Sequence, residues 1–341
     1  MKNKLKQFRV RAGMTQAKLA KKVGVTQPNY QRWESGSAPV PEEKLKKLAK
    51  VLGTSAEALL GRHPPIEARF YDNSAGEDLN YYGEVAIHFC GGGAPLLLSI
   101  SEGAFGSLYH DLQLNSEFVT VKSLTNQTVV IRTKAVADLY FSSEAYDTYG
   151  PEHDKYTDHV SLQLPDPRDW EIVEALQHHS GLEDFDAADV QRVQRMIMIT
   201  AEQYAQLAAD GHIKPEELEN EQKKNEEETN RIFKLASMTT YQLSTGQQRD
   251  VYVDSDEDLY DAFYGLVEFE EGEPADDMIL LQAEGRHRIA SVNKGAFDYI
   301  SIPTHKYEAG SIEASAVLLE DMEAYRLPAE PDGRQAGRKR G

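Results

Sequence analysis

Four side chains between positions 27 and 32, Gln27, Asn29, Gln31 and Arg32, can each offer two hydrogen bonds to one planar partner. Arginine pairs in this way with O6 and N7 of guanine, and a carboxamide with N6 and N7 of adenine, at about 1–3 kcal/mol of discrimination per base. Pro28, among them, offers an apolar surface to a thymine methyl. At about 100° per residue, Tyr30, Trp33 and Glu34 fall on one side of a helix. Pro28, Gln31 and Arg32 fall on the other, with Gln27 and Asn29 at the rims. Proline in the first turn costs little, because that N–H has no intrahelical partner. A polar arc alone is often just a solvated face, so its surroundings decide what it does.

Those surroundings are helical. Leu5 and Phe8 begin the apolar series; Leu19, Ala20 and Val23 follow a break at Gly13, and Val25, Tyr30 and Trp33 follow a second break at Gly24. Leu45, Leu48, Ala49 and Leu52, then Leu59 and Leu60, complete it. Spacings of three and four predict amphipathic helices. Thr15 is placed to cap one at 16–22 and Thr26 one at 27–35, and Thr54-Ser55-Ala56-Glu57 has the pattern of a capping box. Gly36, Pro39 and Pro41 interrupt the chain before the fourth helix. The expectation is five short helices in an all-α domain. Between the second and third helices only Gly24-Val25-Thr26 remains. So short a turn forces a steep crossing and predicts a helix-turn-helix, whose second helix can enter a major groove.

Charge separates this segment from the rest. The chain has 341 residues, enough for about two or three domains, and a formal charge of −19. Residues 1–62 hold fourteen Lys and Arg against four Asp and Glu, a net +10, which leaves −29 for the remainder. Screening over about 10 Å lets a compact cationic module bind phosphates despite a distant acidic body.

The run Thr15-Gln16-Ala17-Lys18-Leu19-Ala20-Lys21-Lys22-Val23-Gly24-Val25-Thr26-Gln27, continued by Trp33-Glu34-Ser35-Gly36 and by Leu45 through Leu59-Leu60-Gly61, resembles the Cro/CI (XRE) family of DNA-binding domains. The resemblance covers about residues 4–62 and implies a five-helix, lambda-repressor-like fold. It implies that Arg9 on the first helix pairs with Glu34 at the end of the recognition helix. It also implies that Gln16, with the amides at the start of its helix, meets a DNA phosphate. The DNA-binding set expected on these grounds is Thr15, Gln16, Thr26, Gln27, Pro28, Asn29, Gln31 and Arg32. One such module makes few base contacts, and members of the class usually bind palindromic, paired half-sites as dimers.

Residues 63–80, with Pro64-Pro65 and the turn-rich 72–77, read as a linker. From there the pattern becomes that of an α+β region. Val85–Phe89, Leu96–Leu98, Phe118–Val121, Val129–Ile131 and Leu139–Phe141 are β-prone runs, with a short helix expected over 105–114. The order recurs: Leu98–Tyr109 aligns with Val253–Tyr264, Val119–Lys122 with Ile279–Gln282, and Val136, Leu139, Phe141 and Tyr146 with Phe297, Ile300, Ile302 and Tyr307. An internal duplication is expected, with copies at 81–166 and 237–321 packed as a pseudo-dimer. A helical insert at 167–236 separates them: a helix marked by Trp170, Val173 and Leu176, a long one from Val190 to Leu207, and a polar one opening at Pro215. The long middle helix is a candidate dimerisation surface. Residues 322–341 read as a basic, flexible tail.

Catalytic patterns are missing. Ala75-Gly76 sits where a self-cleaving repressor has its scissile bond, but no serine downstream has the setting such a peptidase needs. Gly91-Gly92-Gly93 lacks the Lys-Ser/Thr of a phosphate-binding loop and reads as a turn. His153-Asp154 with Asp158-His159 matches no metal-ligand spacing, and His178-His179 point to different faces of a helix. Cys90 has no neighbouring base to activate it. The expectation is a protein that is not an enzyme, with no cofactor and no metal. The single cysteine, the absence of a secretory signal and the lack of a long apolar run read as cytoplasmic and soluble, without a membrane contact. Two functions fit: a sequence-specific, homodimeric transcriptional regulator, most simply a repressor, whose C-terminal region dimerises and senses a protein or small-molecule effector; or an antitoxin or immunity component whose acidic region binds a protein partner.

Overall fold

The computed structural model describes residues 3–325 except 71, 73, 115, 144–161, 269–276 and 284–287. The described residues form two compact units: a head of residues 3–61 joined by residues 312–325, and a body within residues 62–311. Among the described residues, no helix is long and apolar enough to cross a membrane.

The head has the five expected helices: α1 (Leu5–Arg11), α2 (Gln16–Val23), α3 (Gln27–Glu34), α4 (Glu42–Leu52) and α5 (Ala56–Leu59). The apolar positions of the sequence pattern form one core in which Leu5, Leu19, Leu48 and Leu59 are fully buried. Each such leucine contributes about 1.5–3 kcal/mol relative to exposure. Gly24 ends α2 in the left-handed region (φ 72°) and its N–H reaches back to the carbonyls of Ala20 and Lys21. That conformation, open to glycine without a Cβ penalty, turns the chain into α3 within three residues. Thr15 caps α2 as expected. At α5 the cap is Ser55, which accepts from the Ala58 N–H, so the helix starts one residue later than the Thr54 pattern suggests.

The body begins with the segment read as a linker, which is tied down: the Ile66 N–H donates to Asp166, Arg168 donates to the His63 carbonyl, and Arg69 pairs with Asn80. The first α+β run is β1 (Tyr81–Phe89), β2 (Leu96–Ser101), α6 (Glu102–Asp111), β3 (Phe118–Lys122), β4 (Gln127–Arg132) and β5 (Val136–Ser143). Helix α6 opens three residues before the expected start because Ser101 caps it through the Ala104 N–H. Four helices follow: α7 (Pro167–His178), α8 (Ala187–Ile197), α9 (Ala201–Ala209) and α10 (Leu218–Ser237). The expected long middle helix is thus two. Thr200 and Gln203 form a capping box that starts α9, and an apolar period running through such a box conceals the break.

The second run is β6 (Met238–Leu243), β7 (Gln248–Tyr252), α11 (Asp256–Val267), β8 (Met278–Gln282), β9 (Ile289–Asn293) and β10 (Phe297–Pro303), followed by α12 (Thr304–Ala324). The expected flexible tail therefore begins inside a helix; residues 326–341, like Tyr146 and His153 to His159, lie outside the described residues. Sheet order is β2-β1-β5 in the first run, and β7-β6-β10 inside a five-stranded sheet that β4 and β3 extend; β8 pairs with β9. All pairings between strands are antiparallel, with Ile300 opposite Val130 where β10 meets β4. In both runs the first strand is flanked by the second and the fifth, and the third and fourth form a hairpin.

Asn126, in the β3–β4 turn with φ 59°, ties three elements of the body together. Its carboxamide donates to the Leu235 carbonyl of α10 and accepts from the His305 N–H, and its own carbonyl accepts from Thr304. Asparagine is among the few residues that tolerate this backbone region.

Candidate nucleic-acid interface

Helix α3 carries its residues as the angular pattern requires. Tyr30, Trp33 and Glu34 are buried, whereas Gln27, Pro28, Asn29, Gln31 and Arg32 are all exposed. The bidentate side chains thus stand together on the open face of one helix. Thr26 is exposed too, but its side chain makes no capping bond. An N-cap oxygen accepts from the second or third helical N–H, and Pro28 occupies the second position without one.

Thr15 is buried, and its Oγ1 accepts from the Lys18 N–H at 3.2 Å. Its side chain sets where α2 begins. Gln16 follows, half-buried. Its Nε2 donates to Glu34 Oε1 at 2.9 Å, and its backbone N–H donates to Glu320 Oε1 of α12 at 2.7 Å. The amide expected to meet phosphate is therefore held by a carboxylate of the same chain.

Beneath these residues lies the ion pair implied by the resemblance. Arg9 Nε and Nη2 donate to the two carboxylate oxygens of Glu34 at 2.8 and 3.0 Å, and Nη1 donates to the Met14 carbonyl. The side chains are 1% and 2% exposed. Burial by itself would raise the Glu34 carboxyl; hydrogen bonds from Arg9 and Gln16 outweigh it and hold the group below its ordinary value. Burial likewise opposes the Arg9 charge, and Glu34 reverses this, raising Arg9 above its ordinary value. The pair joins α1, the start of α2 and the end of α3, so the reading helix is fixed to its scaffold by a buried charge pair whose remaining valences are satisfied.

Three carboxylates on the head escaped the sequence reading. Besides Glu320, Glu313 accepts from Lys6 Nζ at 2.6 Å, and Glu323 lies 3.6 Å from Lys18 Nζ. Their spacing of seven and three places them on one face of α12, a pattern visible in the sequence but unassigned there because no helix was expected at 304–324.

The body holds a cavity of about 560 Å³ lined in part by Ser101, Thr120, Lys122, Asn126, Trp170 and His305. Close by is a charge cluster around the buried Lys306. Lys306 Nζ lies 3.4 Å from Glu174 and 3.3 Å from Asp256, and 5.2 Å from the centre of the Tyr252 ring. Burial alone would raise Glu174; His305 and Lys306 bring it down to about 2. Asp256 ends above its ordinary value because burial exceeds the pull of Lys306.

Gly91-Gly92-Gly93 forms the turn between β1 and β2, and a Cβ on Gly91 would lie 2.2 Å from the Ser244 carbonyl oxygen. Glycine here permits two backbones to touch. Cys90 is exposed. Among the described residues, no three His, Cys, Asp or Glu are grouped to hold a metal ion.

Residues 5–59 match the family described as helix-turn-helix. The match takes in all five helices of the head and identifies it as a DNA-binding domain of Cro/CI (XRE) type. No curated protein and no solved structure matches the chain.

Proposed function

We propose that the protein, having a Cro/CI-type helix-turn-helix domain at residues 5–59, is a sequence-specific transcriptional regulator that binds a palindromic operator as a homodimer and represses from it. The observation that carries this reading is the exposed arc of Gln27, Pro28, Asn29, Gln31 and Arg32 on α3, backed by the buried Arg9–Glu34 pair. Gln27, Asn29, Gln31 and Arg32 read base edges, Pro28 touches a methyl group, Gln16 and Thr26 meet the DNA backbone, and Thr15 at the start of α2 lies beside them, its side chain capping that helix. The protein acts by binding and not by turnover, in the cytoplasm, without a cofactor.

The body supplies dimerisation and signal input. Its two runs share strand order, both have a serine N-cap on the helix (Ser101 and Ser255), and their first turns meet where Gly93 and Gly246 approach backbone to backbone. These features support an internal duplication packed as a pseudo-dimer. The serine caps align one residue away from the sequence register, which had set Ser101 against Asp256. Leu280 and Ile289 are exposed on the β8–β9 hairpin, as is Met278, an apolar face suited to a second chain. The cavity beside His305 is a candidate seat for a small effector, which would act by shifting the spacing of the two heads.

Selection from a random-sequence duplex pool with the full chain tests the reading. The expected outcome is an enriched motif in two copies, separated by about one or more helical turns. No enrichment at moderate salt would overturn it. The charge of −29 outside residues 1–62 favours a second reading, an antitoxin or immunity component. Co-purification with a basic partner protein would favour that reading over a self-sufficient regulator.

A further inference from the structure

The α12 carboxylates engage cationic side chains of the head and the amide at the start of α2. The first N–H groups of a helix attract anions because they lack intrahelical acceptors and lie at the positive end of the dipole. At the start of α2 the Gln16 N–H already has an anion, Glu320, at 2.7 Å. Around it Glu320 lies 3.5 Å from Arg9 Nη1, Glu323 faces Lys18, and Glu313 accepts from Lys6. Three carboxylates in a row thus engage three cationic side chains and one helix-end amide, the same kinds of group that bind successive phosphates.

What holds α12 there is mainly charge. The apolar core of the head includes no α12 residue. Ala316, buried on the acidic face, is small enough to let the helix come close. The opposite face leaves Leu318 60%, Met322 59% and Tyr325 85% exposed. A helix that turns its acidic side to protein and its large apolar side to water is not anchored by burial. Exposed ion pairs are individually weak and screened by salt, so a polyanion can displace them.

We propose that the C-terminal half of α12 is an autoinhibitory DNA mimic: Glu313, Glu320 and Glu323 occupy the phosphate-binding surface of the head and must leave before a duplex is gripped. This rests on the DNA-binding reading above. The mimic lowers affinity for all sequences alike, because it competes for phosphate contacts and leaves the α3 arc open. Random duplex is thereby rejected, and a site that also satisfies the base-reading side chains has the extra affinity to expel the helix.

The test compares three full-length proteins: wild type, the triple variant Glu313→Gln/Glu320→Gln/Glu323→Gln, and a control, Glu219→Gln/Glu226→Gln/Glu228→Gln on α10, with the same change in net charge. Each is titrated with a short random-sequence duplex at low salt. The triple variant is expected to bind about tenfold more tightly than wild type, and the control within about twofold of it. Equal tightening in both variants overturns the mimic and leaves DNA binding intact. No binding by any of the three removes the DNA-binding reading, and the mimic with it. Glu320→Gln alone gives a readout without DNA. The Gln16 amide resonance of the full chain should move upfield as its carboxylate acceptor is lost; an unmoved resonance overturns the contact itself.

Discussion

Arg9 and Glu34, twenty-five residues apart, meet through two parallel hydrogen bonds, Nε to Oε2 at 2.8 Å and Nη2 to Oε1 at 3.0 Å, with neither side chain reaching solvent. The consequence is asymmetric. Removing one partner leaves the other charge buried and unpaired, at about 3–5 kcal/mol, whereas replacing both with apolar residues costs far less. Arg9→Ala should therefore destabilise the head by that amount, and Arg9→Met/Glu34→Leu should recover most of it. Denaturant titration followed by Trp33 fluorescence, in a Trp170→Phe background, measures both. A loss below about 1 kcal/mol for Arg9→Ala would mean that solvent reaches Glu34.

Arg32 is the one cation among the exposed residues of α3. Its removal should weaken a selected operator by about 1–3 kcal/mol and leave random duplex almost untouched. The two affinities come from one fluorescence-anisotropy series. Equal weakening on both duplexes would place Arg32 on phosphate and move the base-reading role to Gln27, Asn29 and Gln31.

The head was legible because its constraints are local. Five helices of 4 to 11 residues are each announced by spacing, and Gly24 and Gly53 mark two of the ends. The strands of the body were legible as apolar runs, but not the β4–β10 pairing, which joins residues about 170 positions apart and leaves no periodic trace. Helix α12 was missed for a different reason. Its sequence, rich in Ala and Glu, has high helix propensity but little amphipathic period. The strand pattern before it also suggested that the module continued. With α12 went the three glutamates that meet Lys6, Arg9, Gln16 and Lys18.

The turn glycines separate two costs that sequence alone merges. Gly92 has φ 77° with open space where a Cβ would stand, whereas Gly91 lies outside the left-handed region but would set a Cβ 2.2 Å from the Ser244 carbonyl oxygen. Gly92→Ala should cost about 1–2 kcal/mol, the ordinary penalty of a left-handed alanine. Gly91→Ala must push two turns apart and should cost more, about 3 kcal/mol or above. Thermal unfolding of the body ranks the two. The reverse order would mean that the β1–β2 and β6–β7 turns do not touch in solution.

Acid should act on the body through Glu174. Its carboxyl titrates near 2 when folded against an ordinary value of 4.5. A group depressed by folding stabilises the native state at pH above its ordinary value, and that contribution disappears as pH falls through the folded value. Stability should therefore decline between pH 4.5 and about 2. Asp256 works in the opposite sense: raised by burial, it resists folding while ionised and is relieved when protonated, so it blunts the upper part of the decline. Glu174→Gln isolates the effect. It should lower stability at neutral pH, because Lys306 keeps only Asp256 and the Tyr252 ring as partners from this cluster, and it should flatten the acid limb. Urea midpoints at a series of pH values give both curves. If the variant ran parallel to wild type throughout, the acid sensitivity would have to arise elsewhere, and Glu174 would be a solvated carboxylate and not the anchor of His305 and Lys306.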